Sequence, residues 1–161
     1  MNPDMPKILM IGYGNPARCD DGLGPALAAK LELSSLRGLR VESDYQLTVE
    51  DAHDVANHDI VIFADATLKG TEPFSFHEIL PQSPMRISTH RVSPETVLSF
   101  AQNMFQSRVT AYLLGIRGYE FNRFEERLSE GAERNLEKAF AFIQHLSASG
   151  WAALAGRCSF D

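Results

Sequence analysis

Residues able to do chemistry gather at three places in this 161-residue chain. The first is the run Gly12-Tyr13-Gly14-Asn15-Pro16-Ala17-Arg18-Cys19-Asp20-Asp21-Gly22-Leu23-Gly24. Its first two glycines permit a tight turn, and its paired acids stand ahead of a helical pattern, where the helix dipole favours negative charge. An isolated acid pair at such a place is most simply an N-cap, Asp20, followed by a first-turn acid, Asp21. That reading leaves Gly22 and Gly24 unexplained, because both weaken a helix start and leave room for a close approach. The second place is Asp65, which closes a long apolar run, and the third is His90, in the loop before Pro94. Taken singly, a strand-end acid is ordinarily a solvated turn residue and a loop histidine is incidental. Converging at one sheet edge, two or three carboxylates and an imidazole would bind a borderline divalent ion such as nickel or zinc through oxygen and nitrogen. There is no Ser–His–Asp or Cys–His arrangement, and the acids beside Cys19 work against a thiolate nucleophile there. His53, His58, His77 and His145 have no comparable placement and read as surface residues.

A different chemistry competes for the first run. Gly12, Gly14 and Ala17 satisfy GxGxxA after a strand, the pattern of a dinucleotide-binding turn. That motif needs a helix to begin inside it, so that free N–H groups meet a pyrophosphate. Pro16 has no N–H, and the two acids would face the phosphate. A small-ligand or dinucleotide-binding domain is therefore the lesser reading, and a titration with NAD should show no binding.

The elements that must position these groups alternate. Lys7-Ile8-Leu9-Met10-Ile11 reads as a strand buried on both faces. Leu23, Leu27 and Leu31 place an apolar stripe on a helix, with Gly38 closing it. Val41 among polar neighbours reads as a second, less buried strand. Thr48 and Asp51 resemble a capping box that opens a helix through Val49, Ala52, Val55 and Ala56. Residues 59–66 form the clearest buried strand, and residues 67–92 a loop region around a short strand, Phe74 to Ile79. Ser93 and Pro94 are the N-cap and first residue of a helix with Val97, Leu98, Ala101, Met104 and Phe105 on its apolar face. A strand from Val109 to Ile116 follows. The last helix runs from about Ser129 to Ser147, with Ala132, Leu136, Ala139, Phe140, Ile143 and Leu146 inward. Such alternation predicts one three-layer α/β/α domain over residues 1–150, with a mainly parallel sheet; residues 151–161 have no strong period and are expected to form a mobile tail. In these sheets ligands sit beyond the C-terminal strand ends, near the point where strand order reverses. Asp20, Asp21, Asp65 and His90 all fall in that search area.

Composition narrows the class further. Hydrophobic residues make up 44% and charged residues 22%, ordinary globular usage. The net charge is -6 with scattered basic residues, which argues against nucleic acid as a partner. No apolar run approaches the roughly 20 residues of a membrane span, and the first residues lack the basic head and apolar stretch of a secretory signal. A cytoplasmic location is the expectation. Cys19 and Cys158 lie far apart and form neither a disulfide framework nor a zinc pattern.

Three ordered blocks resemble the [NiFe] hydrogenase maturation endopeptidases: Ile11 to Pro16 leading into Asp20-Asp21-Gly22-Leu23-Gly24; residues 59–66, preceded by Gln46-Leu47-Thr48; and Ser88-Thr89-His90-Arg91-Val92-Ser93-Pro94. Residues 115–121 and the last helix also resemble the C-terminal part of that family. The resemblance implies a metal-contacting site made of Asp21, Asp65 and His90, although many members carry Glu where this chain has Asp21, one methylene shorter. It implies as partner the precursor of a hydrogenase large subunit, from which a C-terminal extension is cut after nickel is in place. Nickel would then be supplied by the substrate, and the isolated protein is expected to be metal-free. Asp20 is the candidate general base. A non-catalytic nickel-dependent checkpoint would share the same ligands, so only cleavage separates it from a protease.

Overall fold

A computed structural model of the chain describes residues 5–82 and 92–155. One five-stranded sheet runs through it in the order β2-β1-β3-β5-β4. Its strands are β1 (Ile8–Tyr13), β2 (Leu39–Asp44), β3 (Ile60–Thr67), β4 (Phe74–Ile79) and β5 (Thr110–Arg117). The pairs β1–β2, β1–β3 and β3–β5 are parallel, and β4 runs antiparallel on β5 at one edge. The fold is α/β as expected, with a mixed rather than wholly parallel sheet.

Both faces are covered, which is why the inner strands are continuous apolar runs rather than alternating ones. On one face, α1 (Leu23–Ser34) and α4 (Glu130–Ala148) bury Leu23, Leu27, Leu31, Leu136 and Ile143 against Met10, Ile62 and Leu114. On the other, α2 (Asp51–Ala56) and α3 (Pro94–Phe105) bury Val55, Val97 and Leu98 against Leu9, Ile11, Val61 and Phe63. The residue-by-residue alternation of β1 and β3 between these two cores is the period-2 pattern of a strand buried on both sides.

The helix starts follow their capping chemistry. The Ser93 hydroxyl accepts from Thr96 N at 3.2 Å, with Pro94 at the first helical position. The Ser129 hydroxyl accepts from Ala132 N at 3.3 Å. At Thr48 only the return half of the box forms: the Asp51 carboxylate accepts from Thr48 N at 2.7 Å, and α2 begins at Asp51 itself.

Four expectations need correction. Helix α1 stops at Ser35, which takes a left-handed φ of 47°, and Gly38 instead turns the chain into β2. Met104 and Phe105 are not core residues: the last turn of α3 buries nothing beyond Ala101 and leaves them 66% and 45% exposed. His58 is not freely exposed: it is half-buried, and its Nδ1 lies 2.6 Å from Asp54 O. Finally, residues 151–155 are packed: Trp151 is fully buried in the α1/α4 core, its indole N–H donates to Arg37 O at 3.2 Å, and Leu154 is buried beside it in a short α5 (Ala152–Ala155). Residues 156–161 of the expected tail, and with them Cys158, lie outside the described residues.

Candidate active site

The strand order reverses between β1 and β3. The chain leaves β1 towards β2 on one side, then crosses back to β3 on the other. Loops leaving the C-terminal ends of these two strands therefore diverge and open a crevice. Both sequence-predicted aspartates border it. Asp65 is the sixth residue of β3, one past Ala64, which is registered beside Gly12 of β1. Asp21 stands in a 3-10 turn, Cys19–Gly22, that follows β1.

Glycines let that turn close over the strand ends. A Cβ on Gly14 would lie 2.0 Å from Asp21 O, and one on Gly12 would lie 2.2 Å from Gly24 O. Gly14 also has a φ of 142°, which L side chains rarely adopt. The turn is braced by Asn15: its carbonyl accepts from Arg18 N at 3.0 Å and its side-chain Oδ1 from Ala17 N at 3.0 Å. Asn15 N in turn donates to Asp21 Oδ2 at 2.9 Å, which orients this half-buried carboxylate.

This packing also disposes of the dinucleotide reading. The room made by Gly12 and Gly14 is filled by the carbonyls of Gly24 and Asp21, where a pyrophosphate would have to lie. Helix α1 starts at Leu23, well beyond the glycines, so its free N–H groups do not point into the motif.

Asp65 is held differently. Its Oδ1 accepts from Ala66 N at 2.8 Å, and Tyr13, at the matching place on β1, stands beside it. Burial, then the Asp65 charge and hydrogen bonding towards it, with a contribution from Glu95 at the start of α3, push the Tyr13 phenol well above its ordinary value of 10.0. Tyr13 and Glu95 are site neighbours that sequence reasoning missed. The available signal was register: a tyrosine ending β1 faces the residue that follows Ala64.

Asp20 is a correction. It does not cap its own helix, since the residue preceding α1 is Gly22 and makes no side-chain cap. Its carboxylate is fully buried and accepts from Tyr119 N at 2.7 Å, Glu120 N at 2.9 Å, Ser129 N at 2.8 Å and Ser129 Oγ at 2.7 Å. Burial alone would raise its pKa, but these donors outweigh burial and hold it below 3.8. A general base needs basicity and access to the reacting proton. Asp20 has neither, and its work is to fasten residues 118–129 to the turn.

Cys19 belongs to the same fastening. It is buried with a φ of 49°, its N–H donates to Glu125 O at 2.9 Å, and its Sγ lies 3.6 Å from Arg123 O. A cavity of about 380 Å³ opens between this turn, the start of α1 and residues 126–128.

Among the described residues no three His, Cys, Asp or Glu side chains are grouped to hold a metal. The third expected ligand, His90, lies outside the described residues. What the geometry does bring to one rim is Asp21, Asp65 and, through Tyr13, Glu95. Two half-buried carboxylates there offer hard oxygen donors, suited to a divalent ion or to the polar backbone of a bound peptide.

No family model and no curated protein sequence matches the chain. Solved structures do. A [NiFe] hydrogenase maturation protease, HycI, from Thermococcus kodakarensis KOD1 superposes with a TM-score of 0.70 at 24% identity, covering 90% of this chain and 95% of that one. The chain has the maturation-protease fold. The hydrogenase 2 maturation peptidase from Thaumarchaeota archaeon SCGC_AB-539-E09 gives 0.65 at 24% identity, over 89% and 98% of the two chains. The hydrogenase maturating endopeptidase HybD from E. coli gives 0.62 at 21%, over 89% and 94%. Coverage this complete means that the likeness embraces both helical layers of the maturation-protease fold and not the sheet alone. No helix among the described residues is long and apolar enough to cross a membrane.

Proposed function

We propose that this protein is an endopeptidase that removes a C-terminal extension from the large-subunit precursor of a [NiFe] hydrogenase once nickel has been inserted. The observation that carries the reading is the pair Asp21 and Asp65 at the strand-order reversal of a maturation-protease fold. The ordered sequence blocks that resemble the same endopeptidases support it independently.

In this reading Asp21, Asp65 and His90 contact the nickel carried by the substrate. Two carboxylates and one imidazole without thiolate bind a free divalent ion only moderately. That suits a site which engages the metal only when a precursor presents it. Metal so held polarises a carbonyl or acidifies a bound water. The buried, saturated Asp20 takes no part in proton transfer and keeps the turn that carries Asp21 in place.

The test is cleavage of nickel-loaded precursor, followed by mass measurement. Asp21→Ala, Asp65→Ala and His90→Ala should each lower processing by about 100-fold or more while leaving the circular dichroism spectrum unchanged. Full processing by all three variants would remove the site. Binding of precursor by the unaltered chain with no change in precursor mass would instead establish the checkpoint.

A further inference from the structure

We propose that Tyr13 is the positioning residue of Asp65, its hydroxyl holding the Asp65 carboxylate in one orientation at the rim of the sheet. The functional half of this inference rests on the proposed role of Asp65; the structural half does not.

The geometry follows from register. Strands β1 and β3 are parallel with Gly12 beside Ala64, so Tyr13 and Asp65 are the next residues along each strand. Residues at matching register project to the same side of a sheet. Here that side carries α2 and α3, because Ile11 and Phe63, two residues earlier, are buried in the same core cluster. The Tyr13 ring packs against that cluster, so apolar contact fixes the ring and the ring aims its hydroxyl. A phenol beside a carboxylate donates to it, and the upward push that Asp65 exerts on the Tyr13 phenol agrees with that placement. Together with Ala66 N at 2.8 Å, the carboxylate is gripped by a backbone donor of its own strand and a side-chain donor of the neighbouring one. Donors that orient a ligating carboxylate in this way typically matter 10- to 100-fold to what the carboxylate does.

The experiment uses the full chain in four forms: unaltered, Tyr13→Phe, Tyr13→p-aminophenylalanine, and Tyr119→Phe. The second removes one oxygen and keeps the ring. The third restores a donor at the same reach. The fourth removes a hydroxyl that donates to the carboxylate of Glu72 rather than to Asp65. Side-chain NMR couplings of Asp65 should report a single χ1 rotamer in the unaltered chain, averaging in Tyr13→Phe and recovery with p-aminophenylalanine. With the melting temperature unchanged, kcat/KM on nickel-loaded precursor should fall roughly 10- to 100-fold in Tyr13→Phe and recover in step with the rotamer. Tyr119→Phe should alter neither. An unaltered Asp65 rotamer in Tyr13→Phe overturns the inference, as does a loss that the restored donor fails to repair. If the unaltered chain cuts no precursor, the proposed function falls, while the rotamer series still decides whether Tyr13 orients Asp65.

Discussion

Asp20 and Asp21 differ in surroundings rather than in kind. Asp21 is half-buried on the crevice side with one backbone donor on Oδ2, whereas Asp20 points inward to four donors. Each of those donors would be stranded if the carboxylate were lost, so Asp20→Ala should cost about 3 kcal/mol in urea unfolding, the range for buried hydrogen bonds to a charged group. The pH dependence has a definite sign. Because the folded-state pKa of Asp20 is lowered, its contribution is present in full above the ordinary 3.8 and is lost as pH falls through the folded value. Asp51 runs the other way: burial, aided by the Asp44 charge, raises its pKa, so its contribution is complete below 3.8 and lost as pH rises through the folded value. The Asp51 contribution is common to both forms, so urea midpoints measured from pH 5 downward should fall further for the unaltered chain than for Asp20→Asn. The carboxylate pair was visible in the sequence as a pair, but its division of labour was not. All the donors to Asp20 lie 99 to 109 residues away, and nothing local to the Asp-Asp-Gly segment announces them.

At the scale of elements, the decisive contact is the one between the start of α1 and the ends of β1 and β3. Gly24 sits so close that an added Cβ would meet Tyr13 O at 2.5 Å and Ala64 O at 2.6 Å, both backbone atoms that cannot swing aside. Gly24→Ala should destabilise by about 2 kcal/mol, as overpacking does, and should lower processing more than that loss of stability explains. The helix must back away, taking the Asp21 turn with it. Thermal melting alongside the cleavage assay checks both parts. Elements governed by near neighbours were legible in advance: the serine caps of α3 and α4, the buried runs of β1 and β3, and the bounds of β4. Orientation was not legible for β4, because an edge strand's direction depends on the strand it meets. Neither were the exposed Met104 and Phe105 of α3, where the apolar period continues past Ala101, the last residue the helix buries.

Over the whole molecule, two cores clasp one sheet, and the crevice lies where the chain changes direction between them. The search area for the site followed from the alternation of strands and helices alone, since that alternation fixes which ends of the strands carry loops. The C-terminal packing did not follow, because a single tryptophan carries no period. Trp151 is fully buried among α1 and α4 residues, so Trp151→Ala should lower stability by about 3 to 5 kcal/mol, typical of a large aromatic removed from a core. Equilibrium unfolding in urea measures it. An unchanged midpoint would mean that residues 151–155 are dispensable to the fold.

The clasp between Asp20 and residues 119–129 bears on biogenesis. A ribosome delivers both rim aspartates in the first 65 residues, yet the amides that seat Asp20 arrive more than fifty residues later, and the cap of α4 later still. A nascent chain thus holds its acids long before it can anchor the turn that presents them. The turn that presents Asp21 is therefore anchored only near the end of translation, so under the proposed function no unfinished chain meets a precursor with its crevice already set.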